Sequence, residues 1–273
     1  MSKIRLILLI GFGCCCTGSL GTDRQDQNAL EVAFAFSDVT GTRLLSVGTP
    51  ADPGALSKGI FPGGRVVNAK FQSRQQQAPE WNGRQIARNF DSSPGSVFQI
   101  QGSGAISKEV PHIGEACLLM TEPFLRERKL LNVRAAPSAK ISPDLLRRVE
   151  RAKGKKAAWG NSIARLGSTR ELILVQFVPE GKSCLASLVL VAPDSLSFDD
   201  HMASYDERVK DYVWRVDTPG PGSFHVLAAF DAKEGIEIAI LWDGFEGQNL
   251  YLLRPEGAIL RPIFRSYRYW API

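Results

Sequence analysis

Asp199, Asp200 and His201 stand side by side, with Asp206 and Glu207 five and six residues beyond His201. This is the densest gathering of carboxylate and imidazole groups in the chain. An imidazole steered by a neighbouring carboxylate is a metal ligand or a general base. Asp200 and His201 are therefore the candidate catalytic pair of an exported hydrolase or a metal-dependent enzyme. The competing reading is plainer: an Asp in this place caps a helix start or sits in a solvated loop. The sequence has only three His (His112, His201 and His225), and no pair has the HExxH spacing that holds zinc. The G-x-S-x-G elbow of serine hydrolases is also missing, and Gly102-Ser103-Gly104 is a shorter turn. Cys117 or Cys184 as a nucleophile needs a His brought close by the fold. A non-catalytic role is the better founded expectation, with no metal and no cofactor.

Two short motifs have simpler accounts. Gly181-Lys182-Ser183 has the ending of a phosphate loop, but Gln176 holds the place of the motif's first Gly and strand patterns flank it. It reads as a hairpin turn. Trp242-Asp243 occurs once, without the repeat of a propeller, and reads as a buried aromatic before a turn-starting Asp. His225, in mid-strand, reads as a hydrogen-bonded structural His. Arg265-Ser266-Tyr267-Arg268-Tyr269-Trp270 interleaves cations with aromatics. Alternation places Arg265, Tyr267 and Tyr269 on one face and Ser266, Arg268 and Trp270 on the other. Such a face either stacks sugar rings or bases, or supplies ordinary cross-strand pairs.

Charge is unevenly spread. Thirteen Lys or Arg face three acids between Leu125 and Arg170, although the whole chain carries only +5. The rest is therefore net acidic. Arg147, Arg148, Arg151 and Lys153 fall on one face of a helix pattern, with Lys155 and Lys156 just beyond. They are the candidate binding residues for an anionic envelope surface, a glycan or a protein partner. The plainer alternative is a solvated face balanced by acids elsewhere. Nucleic acid does not suit an exported chain.

Export is the expectation from the N-terminus. Lys3 and Arg5 precede an apolar run from Leu6 to Gly13, too short to span a bilayer and suited to a cleaved leader. Cys14 follows Gly13 directly. The segment resembles the leader of a bacterial lipoprotein, in which a small residue precedes the Cys that is lipidated. The resemblance implies lipidation of Cys14 and membrane attachment through that anchor alone. Cleavage without lipid among the small residues from Thr17 to Gly21 is the alternative. The expected organisation is an export signal over 1–21 and one β-rich domain over 22–273, in the periplasm or cell envelope. In that compartment Cys117 and Cys184 either form one disulfide or stay buried as thiols.

The elements that must position these groups are mostly strands. Ala29 to Phe36 alternates as a first strand, whereas 49–94 is punctuated by Pro and Gly and predicts a long irregular insert. Within it, Arg65 to Phe71 is a short strand candidate. Val97 to Gln101, Ala116 to Thr121 and Lys129 to Arg134 follow. One helix is well marked: Ser142 as N-cap, Pro143 at the first position, Asp144 in the first turn and Gly154 at the end. Ile141 is placed to staple onto Leu146. Glu171 to Phe177 and Cys184 to Val191 form a hairpin pattern, and Phe198 to Val209 has the spacing of a short helix. From Asp211 to Trp270 period-two runs and turns succeed one another as an antiparallel meander. The expected class is α+β and β-rich, an antiparallel sandwich or open barrel with one or two helices. Phe34, Ile173, Val175, Leu188, Leu190, Val226, Ile238, Ile240 and Leu252 are its expected core.

Overall fold

The computed structural model describes residues 32–102, 113–206, 208, 211–213, 224–244 and 246–270. The leader with Cys14, and His112, Glu207 and Val209, lie outside the described residues. Two β units make up the fold, a closed six-stranded barrel and an eleven-stranded curled sheet.

The barrel joins β1 (Val32–Ser37), β2 (Arg43–Ser46), β3 (Leu56–Phe61), β4 (Arg65–Gln75), β5 (Gly95–Gln101) and β6 (Ala116–Thr121). Hydrogen bonding runs β1-β2-β5-β4-β3-β6 and closes from β6 to β1, which removes every free edge. Small residues fill its narrow interior. Ala33, Ala35 and Ala69 point inward beside Leu44, Phe61, Phe98 and Leu119. Gly59 is required there, because a Cβ on it would lie 2.9 Å from the Cys117 Sγ. Phe34 and Phe36, on the other face of β1, turn outward to the curled sheet.

The segment 49–94 carries β3 and β4, of which β4 extends the strand expected over Arg65 to Phe71 and β3 was not expected. Only Val67 and Ala69 of β4 are buried, and a register shift falls between Phe71 and Ser73, where the readable alternation stops.

The second sheet contains β7 (Lys129–Leu130), β8 (Val133–Lys140), β9 (Ala157–Leu166), β10 (Arg170–Phe177), β11 (Ser183–Val191), β12 (Leu196–Asp206), β13 (Asp211–Val213), β14 (Phe224–Ala232), β15 (Gly235–Asp243), β16 (Gly247–Glu256) and β17 (Ile259–Tyr269). Its order is β7-β14-β15-β16-β17-β12-β11-β10-β9-β8, with β13 beside β12. The strands β14 to β17 are consecutive antiparallel neighbours. The sheet curls until β8 and β9 return to β14. The link from β7 to β8 ties the ends together: Leu131 N–H donates to the Ala229 carbonyl at 2.8 Å, and Gly167 N–H to that of Asn132 at 2.8 Å. The weak point is the β12–β17 seam, a parallel contact whose register is the single pair Phe198↔Ile259.

Up to Asp206 the stretch expected as a helix from Phe198 to Val209 is strand: it belongs to β12, paired residue by residue with β11 from Ser183↔Ser204 to Val191↔Leu196. The three-and-four spacing of Met202 and Tyr205 is outweighed by that ladder, an instance of tertiary pairing overriding a local pattern. The helix expected at Ser142 is present as α2 (Pro143–Lys153), after the shorter α1 (Glu122–Arg126). Ser142 Oγ accepts from Leu145 N–H, and Gly154 closes α2 at φ 65°. Leu145, Leu146 and Val149 lie on the outer face of the sheet against Ile173, Val175 and Phe177. Ile141 and Leu146 both reach over Gly160, where a Cβ would come within 2.7 Å of Ile141.

The inside of the curl is filled by Leu172, Leu174, Leu188, Leu190, Ile238, Ile240 and Leu253. On the outside of β14 to β16, the barrel packs Phe34, Phe36, Leu118 and Met120 against Leu227, Phe230, Ala239, Leu241 and Leu252. Of the expected core, only Val226 is half-buried, packed at the margin of the inner cluster. Two polar clusters flank the junction. At one, the fully buried carboxylate of Glu237 accepts from Arg128 Nε at 2.8 Å and Arg254 Nη2 at 2.6 Å. At the other, buried Arg268 donates to the Gly114 carbonyl at 3.2 Å and to Gln248 Oε1 at 2.9 Å. Gln248 in turn donates to Asp243 at 2.6 Å, and Asp243 pairs with His225 at 2.9 Å. Burial pushes the Arg268 guanidinium down to about 10, against the opposing pull of Asp243.

Candidate functional site

The register of the strands brings two rows of side chains together at one end of the curl. Pairing of Phe224 with Trp242, Trp242 with Asn249 and Asn249 with Tyr267 lays one row across β14 to β17. Pairing of Trp159 with Gln176, Gln176 with Ala186 and Ala186 with His201 lays the other across β9 to β12. Residues opposite one another in a ladder share a face, and both rows are on the concave face. They meet at His201, whose ring lies 5.0 Å edge-on to Trp242 and 6.1 Å from Phe224. Trp242 and Phe224 stack at 5.5 Å and 12°.

This layer holds three buried nitrogens without hydrogen-bond partners: Gln176 Nε2, His201 Nε2 and Trp242 Nε1. The Gln176 side chain belongs to a residue only 3% exposed. Leaving such groups unpaired costs about 1–3 kcal/mol each, so a cluster of three is not a neutral feature. Asp199 Oδ2 is 3.3 Å from His201 Nε2, close enough for attraction but off the line of a hydrogen bond.

The next row, one step further into the sheet, pairs Tyr251 with Arg265. Burial raises the Tyr251 phenol, Asp199 adds to the rise and Arg265 opposes it. Arg265, Tyr267 and Tyr269 form an exposed row on β17, while Arg268 on the opposite face is buried. This is the alternation read from the sequence. The phenol end of Tyr267 rests on Gly247: a Cβ there would stand 2.4 Å from its hydroxyl and 2.6 Å from its Cζ. The residue as a whole stays 48% exposed.

Two cavities adjoin the layer rather than fill it. One of about 390 Å³ opens along the β12–β17 seam, lined by Asp199, Asp200, Lys153, Arg261 and Arg265. Another of about 370 Å³ lies between the barrel and β17, lined by Asp52, Thr121, Phe264, Arg265 and Ser266. Arg265 borders both.

The structure separates Asp200 from His201. Adjacent strand residues point to opposite faces. Asp200 lies outside, bonded to Ser187 Oγ at 2.6 Å and Lys153 Nζ at 2.6 Å, while His201 lies inside. The carboxylate beside His201 is Asp199. The basic helix face is largely committed. Arg147 pairs with Asp144, Arg148 donates to the Ala192 and Ser195 carbonyls, Lys153 pairs with Asp200 and Lys155 with Glu180. Arg151 and Lys156 are the exposed remainder.

Cys117 and Cys184 are both buried free thiols, one inside the barrel and one inside the curled sheet, so they form no disulfide with each other. Burial pushes both thiols up, Cys184 to about 11, which removes the thiolate a nucleophile requires. His225 is half-exposed on the barrel side, with its pKa raised by the hydrogen bond to Asp243. Among the described residues no three His, Cys, Asp or Glu gather as a metal site, and no helix is long and apolar enough to cross a membrane.

The concave layer escaped sequence reading because its two rows are joined across the sheet. Only the exposed row of β17 had a local signal. No family model, no curated protein and no solved structure matches this chain.

Proposed function

We propose that this chain is an exported, non-catalytic binding protein of the cell envelope whose ligand is a glycan lying on the concave end of the curled sheet. The observation that carries the reading is the row Phe224, Trp242, Asn249 and Tyr267, with Tyr267 half-exposed at its end and its phenol tip anchored on Gly247. Aromatic faces offer the apolar side of a sugar ring a flat surface, and nearby donors take its hydroxyls. Asn249, half-buried between Trp242 and Tyr267, supplies a side-chain donor in the same row. On this reading β14 to β17 act as a C-terminal meander that serves as the scaffold of the site. The helix face, with only Arg151 and Lys156 uncommitted, is a secondary contact for an anionic envelope component. Attachment to the membrane is through lipid on Cys14 alone, and the compartment is the periplasm or envelope.

The test is titration of the full chain with a panel of oligosaccharides, followed by tryptophan fluorescence and calorimetry. Binding is expected in wild type and expected to fall at least tenfold in Tyr267→Ala, as for loss of a ~1.5 kcal/mol stacking contact. Absence of binding to any oligosaccharide, or an unchanged affinity in the variant, contradicts the proposal. A hydrolytic reading has one observation in its favour, the 3.3 Å approach of Asp199 to His201. It requires new reducing ends to appear in the same titrations and to vanish in His201→Gln.

A further inference from the structure

We infer that the glycan bears a carboxylate and that Arg265 is the residue that reads it; this rests on the glycan reading above. Cations around the seam cleft are otherwise neutralised. Lys153 pairs with Asp200 at 2.6 Å, and Arg261 pairs with Glu256 at 3.2 Å. Arg265 lines the same cleft, is exposed, and makes no ion pair among the described residues. It stands directly across from Tyr251 and two residues before the half-exposed ring of Tyr267. From Arg265 to Tyr269 the strand runs ~13 Å, enough to lay a short oligosaccharide along the tyrosines with its end at the guanidinium.

A guanidinium presents a planar fork of N–H groups matched to the two oxygens of a carboxylate. A neutral sugar leaves that fork merely hydrated. Asp199, which lines the same cleft as Arg265, adds the complementary half. It repels a second anion and accepts from hydroxyls, so the preferred group has one carboxylate next to ring hydroxyls. Two sources share this chemistry: a uronate, with the carboxylate on the ring, and a cell-wall amino sugar, with a carboxylate on a lactyl ether.

The deciding experiment is calorimetric titration of the full chain with three probes: an oligogalacturonate, its carboxyl-reduced counterpart and a muramic-acid-containing oligosaccharide. In wild type one carboxylated probe is expected to bind about tenfold or more tightly than the reduced one, the scale of a charge-assisted hydrogen bond. Arg265→Gln is expected to erase that preference while still binding the reduced probe, and Arg265→Lys to restore part of it. The carboxylated probe whose advantage depends on Arg265 identifies the source. Equal binding of all three probes by wild type overturns the inference and leaves the glycan reading standing, as does a preference that survives Arg265→Gln. Failure of all three to bind removes the glycan reading itself. Retained binding of the reduced probe by Arg265→Gln shows that the variant is folded.

Discussion

Glu237→Gln probes the junction that holds the barrel against the curled sheet. The Glu237 side chain has no solvent exposure, and its partners Arg128 and Arg254 are only 13% and 20% exposed. Its carboxylate accepts three charged hydrogen bonds, at 2.8, 3.4 and 2.6 Å. The substitution keeps the shape and removes the charge, leaving two guanidiniums facing a neutral amide. Breaking a buried pair in this way costs about 3–5 kcal/mol. The remaining amide oxygen still accepts one bond and both arginines retain some water, so the low end, ~3 kcal/mol, applies. Urea denaturation reads this as a midpoint ~1–3 M lower at unchanged slope. Glu234→Gln is the internal control. Glu234 also meets Arg254 but is 65% exposed, so its loss should stay within about 1 kcal/mol. A Glu237→Gln loss no larger than that of the control refutes the reasoning, because it would mean that the buried charge does not clamp the junction.

Three further outcomes follow from the same geometry. Gly247→Ala sets a Cβ 2.3 Å from the Arg268 carbonyl and 2.4 Å from the Tyr267 hydroxyl. It should destabilise by ~1–3 kcal/mol and weaken glycan binding together, measured by thermal unfolding and calorimetry. For Asp38, burial alone raises the carboxyl, but hydrogen bonds from Thr40, Arg43 and the Thr42 and Arg43 amides outweigh it and hold the group below its ordinary range. Asp38→Asn should therefore cost stability above pH ~4, and the difference from wild type should shrink as acid protonates Asp38. His225 has the opposite sign, its pKa being raised by the bond to Asp243. The stability deficit of His225→Gln should be largest below pH ~6.5 and fade as rising pH discharges the wild-type ring. With the pair half-exposed, the deficit should stay under about 1 kcal/mol.

What the sequence made legible was what is encoded locally. Ser142, Pro143 and Gly154 mark α2 because capping is a matter of a few neighbouring backbone groups. The β10–β11 hairpin and the faces of β17 were readable because alternation is a property of a single strand. The barrel was hidden, since β3 carries no clear alternation, β4 is bulged and largely solvent-facing, and closure depends on pairing of β3 with β6 and of β4 with β5. The pairing of the basic region was not legible for a related reason. Four of the six cations on and just after α2 find partners from Asp144 to Asp200, some of them far along the chain, and no count of charges reveals where those partners fold. The same holds for Asp200 and His201: adjacency in a helix or loop would have kept them together, but adjacency in a strand divides them between faces.

The central claim is that a glycan occupies the concave layer at Trp242. Indole N–H resonances in a nitrogen–proton correlation spectrum report on that layer directly, with the Trp242 signal assigned by its disappearance in Trp242→Phe. Titration with the best-binding oligosaccharide should move the Trp242 signal while leaving that of Trp81, in the segment between β4 and β5, in place. A Trp242 signal that stays fixed while the glycan binds, or shifts confined to Trp81, would contradict the account.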